Sequence, residues 1–375
     1  MNKNHSSNNL WYTVSNVEEI NSPSLLVYPD RIESNILKMI AIAGNIDRLR
    51  PHVKTHKMRE VISLQMKHGI IKFKTATISE TEMVAMCGAK DILLAIQPVG
   101  PNIERFFQLK KRFPGSKISC IAESEEIIIK LSEISVLTGL ETNIWLDINN
   151  GMNRTGITPD DEAIRLYRMI NDLPMLKSEG LHVYDGHIHE KDLAERKKIC
   201  DKSFATVLRF VKELKKIGFS QVKIVVGGTP SFPIHAKRID VESSPGTTLL
   251  WDYGYSSSFP DMQFLHAAVL IMRVISKPAE DLLCLDLGHK AVASEMPQPR
   301  VKILNIKDYT ITNHSEEHMV IRTSEARKFK TGDPLFGIPW HICPTVDRHD
   351  YVTVVSNHKA TGRWNVEARR RIITI

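Results

Sequence analysis

Short apolar runs alternate with longer stretches of helical periodicity from residue 25 to about residue 252. This alternation is typical of repeated β-α units that build a parallel sheet. The segment is roughly 230 residues long, close to the ~250 residues of a (β/α)8 barrel. The candidate strands are residues 25–28, 49–54, 71–77, 92–96, 118–122, 143–149, 181–185, 223–227 and 247–252.

These candidates exceed by one the eight strand positions of a barrel. We therefore expect one of the two end candidates to lie outside it, although the pattern does not say which. A doubly wound open sheet is the alternative architecture. Because the length and spacing match the barrel better, we predict an α/β fold with a TIM-like (β/α)8 barrel.

After Pro260 the pattern changes to β-rich runs separated by turn residues, which predicts a C-terminal antiparallel β-domain. We place the barrel at residues 25–256 and the β-domain at 257–375, together with the N-terminal residues 1–24. Residues 11–14 are expected to add a strand to this domain. The candidate strands of the β-domain are residues 267–275, 282–287, 301–306, 319–323, 351–356 and 371–375.

Composition narrows the class of protein. The chain has 375 residues, of which 42% are hydrophobic and 25% charged, and no run approaches the ~18 apolar residues of a membrane span. The net charge of +7 is spread along the chain without interleaved aromatics, so we expect no nucleic-acid partner and no membrane partner. Five scattered cysteines and a polar N-terminus favour a cytoplasmic location.

Lys54 is the candidate for covalent chemistry, because in a barrel function lies where strands end. It follows the second candidate strand within RPHVKTHK, residues 50–57. A lysine that forms an imine must lose its proton, and burial near cations such as Arg50 and His52 lowers a lysine's pKa. Lys57, Lys72 and Lys74 are competing candidates. The alternative interpretation of Lys54 is an ordinary surface lysine.

Other polar residues follow later candidate strands. Gly227, Gly228 and Thr229 offer backbone N–H groups to an anion, or form only a tight turn. Asp147 and Arg154 flank a turn after the sixth candidate strand, and either hold the ring of an aromatic cofactor or pair with each other. Tyr184 and His187 follow the seventh candidate strand.

His341 and Cys343 are a candidate metal pair. In an extended segment, residues separated by one position point to the same side, as two ligands of one ion require. Thiolate and imidazole favour zinc, and two protein ligands leave positions open for substrate. The alternative is a buried cysteine beside an unrelated histidine. His349 and Asp350 are further candidate ligands by proximity in the sequence.

These motifs together resemble the metal-activated pyridoxal-phosphate enzymes of the D-threonine aldolase and D-serine dehydratase type, whose barrel is related to that of alanine racemase. The resemblance spans nearly the whole chain. The motifs that carry it are SPSL (22–25), RPHVKTHK (50–57), ATISETE (76–82), DILLA (91–95), DINNGMNRTG (147–156), YDGH (184–187), VVGGTP (225–230), DLGHKA (286–291), EEH (316–318), GDPLFGIPWHICPT (332–345) and WNVEARR (364–370).

The resemblance implies a role for each candidate. Lys54 would carry pyridoxal 5′-phosphate as an imine, and Arg154 and Tyr184 would contact the cofactor ring. A divalent metal, with zinc favoured over manganese or magnesium, would bind His341 and Cys343. Such enzymes are typically homodimers that act on small D-amino acids, with the active site near the junction of barrel and β-domain. The residues implied to hold the cofactor phosphate are Gly227, Gly228 and Thr229.

Two departures from the family pattern affect the expected reaction. Thr248 stands where the family usually has a tyrosine that contacts the cofactor. Cys343 stands where the aldolases have aspartate and the dehydratases have cysteine. Because the overall resemblance favours the aldolases, we predict cleavage of a β-hydroxy-D-amino acid, with His187 as the base. The alternatives are dehydration with Lys54 as the base, a racemase, or a non-catalytic cofactor carrier.

Overall fold

The computed structural model describes residues 10–375, which divide into two compact units. The barrel unit comprises residues 36–248, 258–263 and 367–375, and the β unit comprises the described residues up to 35, together with 249–257 and 264–366. These units differ from the predicted domain limits: residues 25–35 and 249–256 lie in the β unit, whereas 258–263 and 367–375 lie in the barrel unit.

The strands, in chain order, are β1 (Ser24–Val27), β2 (Lys72–Thr75), β3 (Asp91–Leu94), β4 (Lys117–Ala122), β5 (Thr142–Ile148), β6 (Leu176–Val183), β7 (Lys223–Val226), β8 (Glu242–Ser243), β9 (Ala268–Ala279), β10 (Leu282–Leu285), β11 (Val301–Ile303), β12 (Thr310–His314), β13 (Met319–Arg322), β14 (Pro334–Pro339), β15 (Tyr351–Ser356) and β16 (Lys359–Asn365). The α-helices are α1 (Pro29–Ala43), α2 (Arg59–Lys67), α3 (Ile78–Met86), α4 (Pro101–Arg112), α5 (Glu125–Thr138), α6 (Asp161–Asp172), α7 (Leu193–Lys216), α8 (Phe232–His235), α9 (Tyr253–Ser258) and α10 (Ile342–Val346). Within the described chain, none of the helices combines the length and the apolar character needed to cross a bilayer.

The barrel unit is built on a parallel sheet in which β2 to β8 pair in chain order. Residues 49–52 close this sheet. Leu49 forms a parallel bridge with Ser243 at one edge, and His52 forms one with Lys74 at the other. The amide of Arg50 donates to Ser243 O at 2.9 Å, and the amide of Lys74 donates to Pro51 O at 2.9 Å. The closing segment therefore takes the first position of the barrel, and the predicted fold is confirmed.

The strand at each end of the predicted barrel was assigned wrongly. β1 pairs with β9 and β15, so the first candidate is the one that lies outside the barrel. Residues 247–252 do not form a strand, because Thr247–Leu249 is a 3-10 helix, and β8 takes the last position instead. A two-residue strand is too short to produce a periodic pattern, and the partners of β1 lie more than 240 residues away.

The β unit contains a mixed, mostly antiparallel sheet, as predicted. Its strand order is β12-β13-β10-β9-β1-β15-β16, and β14 pairs with both β9 and β11. Residues 11–14 and 371–375 are not strands, contrary to the prediction. Tyr12 and Val14 nevertheless pack in the apolar core of the β unit with Leu26 and Val269. Their apolar character therefore reflects burial in a core cluster rather than strand pairing.

Arg50 fixes the closing segment from inside the barrel. Its side chain is 1% exposed, and it donates to Asp91 on β3 at 2.7 and 3.0 Å and to Glu242 on β8 at 2.7 Å. It also lies over the Trp145 ring of β5 at 5.5 Å. Burial raises the pKa of Asp91, but the hydrogen bonds and charge of Arg50 outweigh this effect and lower it overall. One guanidinium therefore ties three positions of the barrel together.

Replacing Arg50 with alanine is expected to lower the free energy of unfolding by about 3–5 kcal/mol, because it removes the ion-pair partner of Asp91 and leaves Glu242 with Lys72 alone. Chemical denaturation followed by circular dichroism measures this loss. The matched control is Arg165→Ala, which removes an exposed arginine paired with Glu125 and Glu162 and should change the stability little. Equal stability of the two variants would show that Arg50 does not hold the barrel closed.

Candidate active site

Lys54, Arg154 and Tyr184 converge at the end of the barrel where the parallel strands finish. Lys54 lies in the 3-10 helix Val53–Thr55 that follows the closing segment, and its amide donates to His52 Nδ1 at 3.3 Å. Its Nζ lies 5.6 Å from the centroid of the Tyr184 ring, and the guanidinium carbon of Arg154 lies 4.7 Å from the same centroid. Two cationic residues from separate motifs thus lie against the ring of Tyr184.

A second lysine belongs to this cluster. Lys74, on β2, is buried, and its Nζ lies 5.8 Å from the centroid of the Tyr184 ring. Burial, and next the charge of Lys54, lower the pKa of Lys74 to about 7. In the sequence it was only a competitor of Lys54. Its spacing from Lys72 could have indicated that it faces the barrel interior, because residues i and i+2 of a strand point to the same side and Lys72 and Lys74 are both in β2.

Arg50 was predicted to act on Lys54 as a nearby cation. Its charge is instead compensated by ion pairs with Asp91 and Glu242. Lys57 pairs with Glu80 through Nζ and Oε1 at 3.7 Å. The polar environment of Lys54 comes instead from residues on neighbouring strand ends.

Asp147 pairs with His182 and not with Arg154. Its Oδ1 lies 2.7 Å from His182 Nδ1, and both side chains are buried. Burial raises the pKa of Asp147, but the charge and hydrogen bond of His182 outweigh it and lower the pKa overall. Burial is the larger effect on His182, whose pKa is lowered. Among the described residues His182 Nε2 is buried and has no hydrogen-bond partner, so a polar ligand atom could bond to it.

The Gly227–Thr229 loop requires its glycines. Gly227 has a φ of +79°, and a Cβ there would lie 2.9 Å from the side chains of Ser231 and His235. A Cβ on Gly228 would lie 3.2 Å from the Tyr184 ring. Thr229 Oγ1 accepts from the amides of Gly246 and Thr247, each at 3.2 Å. The loop therefore lies against the Tyr184 ring. The amides of Gly227 and Gly228 already donate to Val183 O at 2.9 Å and to Ser231 Oγ at 3.2 Å, so the role of the loop as an anion site stays a prediction.

Asp185 supports this loop. Its Oδ1 accepts from Ser231 Oγ at 2.8 Å, and its Oδ2 lies 2.8 Å from His235 Nε2. Ser231 Oγ in turn accepts from the amide of Gly228 at 3.2 Å. Cys200 Sγ lies 3.3 Å from His235 Nε2, but burial raises the pKa of this thiol to about 12. Asp185, Cys200 and His235 are close enough to hold a metal, yet the protonated thiol and these distances indicate hydrogen bonds.

His187 lies three residues beyond Tyr184 and packs against Gly151, where a Cβ would lie 3.1 Å from His187 Nε2. Its Nδ1 is buried and has no hydrogen-bond partner within the described chain. Its role as a base stays a prediction. The Thr248 hydroxyl is buried and contacts Met39 Sδ at 3.6 Å, so the residue that replaces the usual tyrosine faces the core.

The candidate metal pair lies in the β unit at the start of α10. His341 is the N-cap of this helix and Cys343 lies in its first turn, so the predicted extended segment is wrong. The two side chains are nevertheless hydrogen-bonded to each other. Burial, the largest single effect, lowers the pKa of His341. The contacts with Cys343, and next with Asp252 and Glu295, together outweigh burial and raise this pKa to about 9. Proximity thus comes from the helical turn rather than from strand alternation.

Two residues that the sequence did not indicate support this pair. Glu295 Oε1 lies 2.5 Å from His341 Nδ1, which orients the imidazole. Asp252 is buried, and its Oδ2 accepts from the amide of Ile342 at 3.0 Å. His349 Nε2 donates to Ala291 O at 2.9 Å, so that nitrogen is used within the β unit.

The residues of the barrel unit fit pyridoxal phosphate. The amine of Lys54 suits the aldehyde of the cofactor, Tyr184 suits its aromatic ring, and the Gly227–Thr229 loop suits its phosphate. The unpaired His182 Nε2 is a further polar contact that such a ligand would satisfy. The thiol and imidazole of Cys343 and His341 fit a divalent metal, with zinc favoured. These features define the class of pyridoxal-phosphate barrel enzymes.

Comparison with known proteins identifies the family. Residues 27–253 match the family described as alanine racemase, N-terminal domain, and residues 267–355 match the putative serine dehydratase domain. The chain therefore belongs to the alanine racemase-like pyridoxal-phosphate enzymes and is a lyase of the aldolase and dehydratase group.

Individual relatives cover nearly the whole chain. A D-threonine aldolase from an Arthrobacter species is 28% identical over 93% of both chains, and D-threo-3-hydroxyaspartate dehydratase from a Delftia species is 23% identical over 87% of this chain and 92% of its own. The crystal structure of D-threonine aldolase from Filomicrobium marinum has a TM-score of 0.86 and 26% identity, covering 94% of this chain and 97% of that one.

Replacing Asp185 with alanine is expected to lower the free energy of unfolding by about 2–4 kcal/mol, because it leaves the buried Ser231 and His235 groups without an acceptor. Hydrogen exchange at the Gly227–Thr229 amides should become faster. Denaturation and exchange mass spectrometry measure the two effects. The control is Asp201→Ala, which removes a more exposed partner of Arg238 and Lys197. Unchanged exchange in the Asp185 variant would contradict a supporting role.

Proposed function

We propose that the protein cleaves the Cα–Cβ bond of a β-hydroxy-D-amino acid, as a D-threonine aldolase does, giving glycine and an aldehyde. The observation that carries the proposal is the convergence of Lys54, Arg154 and the Gly227–Thr229 loop on Tyr184, in a chain whose β unit also holds a His-Cys pair. The two aldolase relatives described above support the choice of reaction. A homodimer and a cytoplasmic location stay predictions.

Each residue has a defined task in this proposal. Lys54 attaches the cofactor, Arg154 and Tyr184 hold its ring, and Gly227, Gly228 and Thr229 hold its phosphate. The bound cofactor supplies an electron sink for the bond that breaks at Cα. His187 takes the proton of the substrate β-hydroxyl.

The metal site adds Lewis acidity. His341 and Cys343 hold a divalent ion, zinc in the first place, with manganese or magnesium as alternatives. Such an ion would lower the pKa of a hydroxyl that it binds. Glu295 keeps His341 oriented through its hydrogen bond to Nδ1.

Dehydration of the same substrate class is the second candidate function, and Cys343 favours it. In that reaction Lys54 removes the α-proton and the hydroxyl leaves, so that a 2-oxo acid and ammonia form. The Delftia relative, a dehydratase by name, supports this candidate. A racemase would not need the His341–Cys343 pair, and neither would a cofactor carrier.

Lys54→Ala protein should fail to attach pyridoxal phosphate covalently, because the attaching amine is gone. Borohydride reduction followed by peptide mass mapping should place the label on Lys54 in the unchanged protein. Lys72→Ala, which removes an amine that is paired with Glu242, should keep the label on Lys54. A label on any other lysine of the unchanged protein would refute the assignment.

D-Threonine supplied to protein loaded with pyridoxal phosphate and zinc or manganese should yield glycine and acetaldehyde. Quantifying glycine and 2-oxobutyrate in the same sample separates cleavage from dehydration. Chelation with EDTA, or Cys343→Ser, should abolish turnover, whereas Cys284→Ser in the same unit should not. Turnover that survives chelation would exclude a role for the metal pair, and 2-oxobutyrate as the main product would establish the dehydratase.

A further inference from the structure

Lys74 is a buried amine without an anionic partner. Its residue is 2% exposed, and among the described residues no carboxylate forms an ion pair with it. Its neighbours in sequence differ in this respect, since Lys72 pairs with Glu242 and Lys57 pairs with Glu80. A charged group is rarely buried unpaired, because desolvation is costly. Lys74 therefore differs from Lys57 and Lys72, which each have a carboxylate partner.

Two carboxylates act electrostatically on Lys74, and each already has a hydrogen-bond partner. Asp147 is hydrogen-bonded to His182, and Asp185 is hydrogen-bonded to both Ser231 and His235. The other groups around Lys74 are basic or aromatic side chains and cannot serve as its counter-ion. The charged, titratable and aromatic groups that interact with Lys74 include His52, Lys54, Asp147, Arg154, His182, Tyr184 and Asp185.

The protonation state of Lys74 follows from these surroundings. Burial and the charge of Lys54 lower the pKa of Lys74 to about 7, while Asp185 and Asp147 act in the opposite direction with smaller effect. At pH 8 the free protein therefore holds Lys74 mainly as the neutral amine. An anion that arrives beside it favours the charged form and raises its pKa.

We propose that Lys74 is an anion-binding residue of the active site, which takes up a proton from solvent when a negatively charged ligand oxygen enters the cluster around Tyr184. The proposal rests on the proposed use of pyridoxal phosphate. The oxygen belongs either to the cofactor ring, entering as the phenolate that is already ionised in solution, or to the substrate carboxylate, so the proton that Nζ gains comes from solvent. The proton goes to Nζ, and no covalent bond forms or breaks.

The test counts protons taken up on ligand binding. Calorimetric titration at pH 8 in two buffers of different ionisation enthalpy yields this number. In the first arm pyridoxine 5′-phosphate, which lacks the aldehyde and forms no imine, is added to cofactor-free protein. In the second arm D-alanine, which lacks the β-hydroxyl that either reaction needs, is added to protein loaded with pyridoxal phosphate.

The unchanged protein should take up about one proton more than Lys74→Met in one of the arms. The difference should vanish near pH 5.5, where Lys74 is already charged in the free protein. Lys74→Arg, which stays charged at all these values, should bind without the additional uptake. Lys72→Met is the matched control on the same strand and should retain the uptake of the unchanged protein.

The arm that shows the difference identifies the source of the oxygen, and either arm supports the proposal. Equal proton counts for unchanged protein, Lys74→Met and Lys74→Arg in both arms would overturn it. If Lys74→Met does not fold, the comparison with Lys74→Arg decides. Failure of pyridoxal phosphate to attach to any lysine would instead refute the proposed function, and absorbance spectra read that outcome independently of the proton count.

Discussion

The structure of the barrel unit depends on the ion-paired Arg50 inside it. Residues 49–52 form only single bridges to the strands on either side, so backbone pairing alone holds this segment weakly. Arg50 adds charged hydrogen bonds to Asp91 on β3 and Glu242 on β8. Lys54 lies in the 3-10 helix that directly follows this segment. The ion-paired Arg50 therefore anchors the segment that leads to Lys54, the proposed cofactor lysine.

Buried hydrogen bonds position the remaining groups of the barrel unit in a similar way. The Asp147–His182 pair orients one ring beneath the cluster, and Asp185 connects the strand end that carries Tyr184 with the Gly227–Thr229 loop. In both cases the carboxylate is hydrogen-bonded to histidine or serine rather than paired with a lysine or arginine. Lys54, Lys74 and Arg154 consequently remain available for the charges of a ligand, which suits an anionic cofactor and an amino-acid substrate.

The candidate metal pair shows how local structure and sequence can lead to the same contact by different routes. The His-x-Cys spacing indicated a shared side of a strand, but the two residues approach because a short helix begins at His341. Glu295 and Asp252 support them from distant positions in the sequence. Such partners lie outside any local pattern, so the sequence alone did not identify them.

The sequence by itself determined the class of fold and the second sheet, and it indicated Lys54, Arg154, Tyr184 and Gly227–Thr229 as candidate site residues, because each depends on local periodicity or on a short contiguous motif. The tertiary structure decided what depends on long-range pairing. It placed β1 in the β unit, used the two-residue β8 to complete the barrel, and gave Arg50 its partners. It also buried Lys74 beside Tyr184, because strand alternation specifies a face but not what lies across the barrel from it.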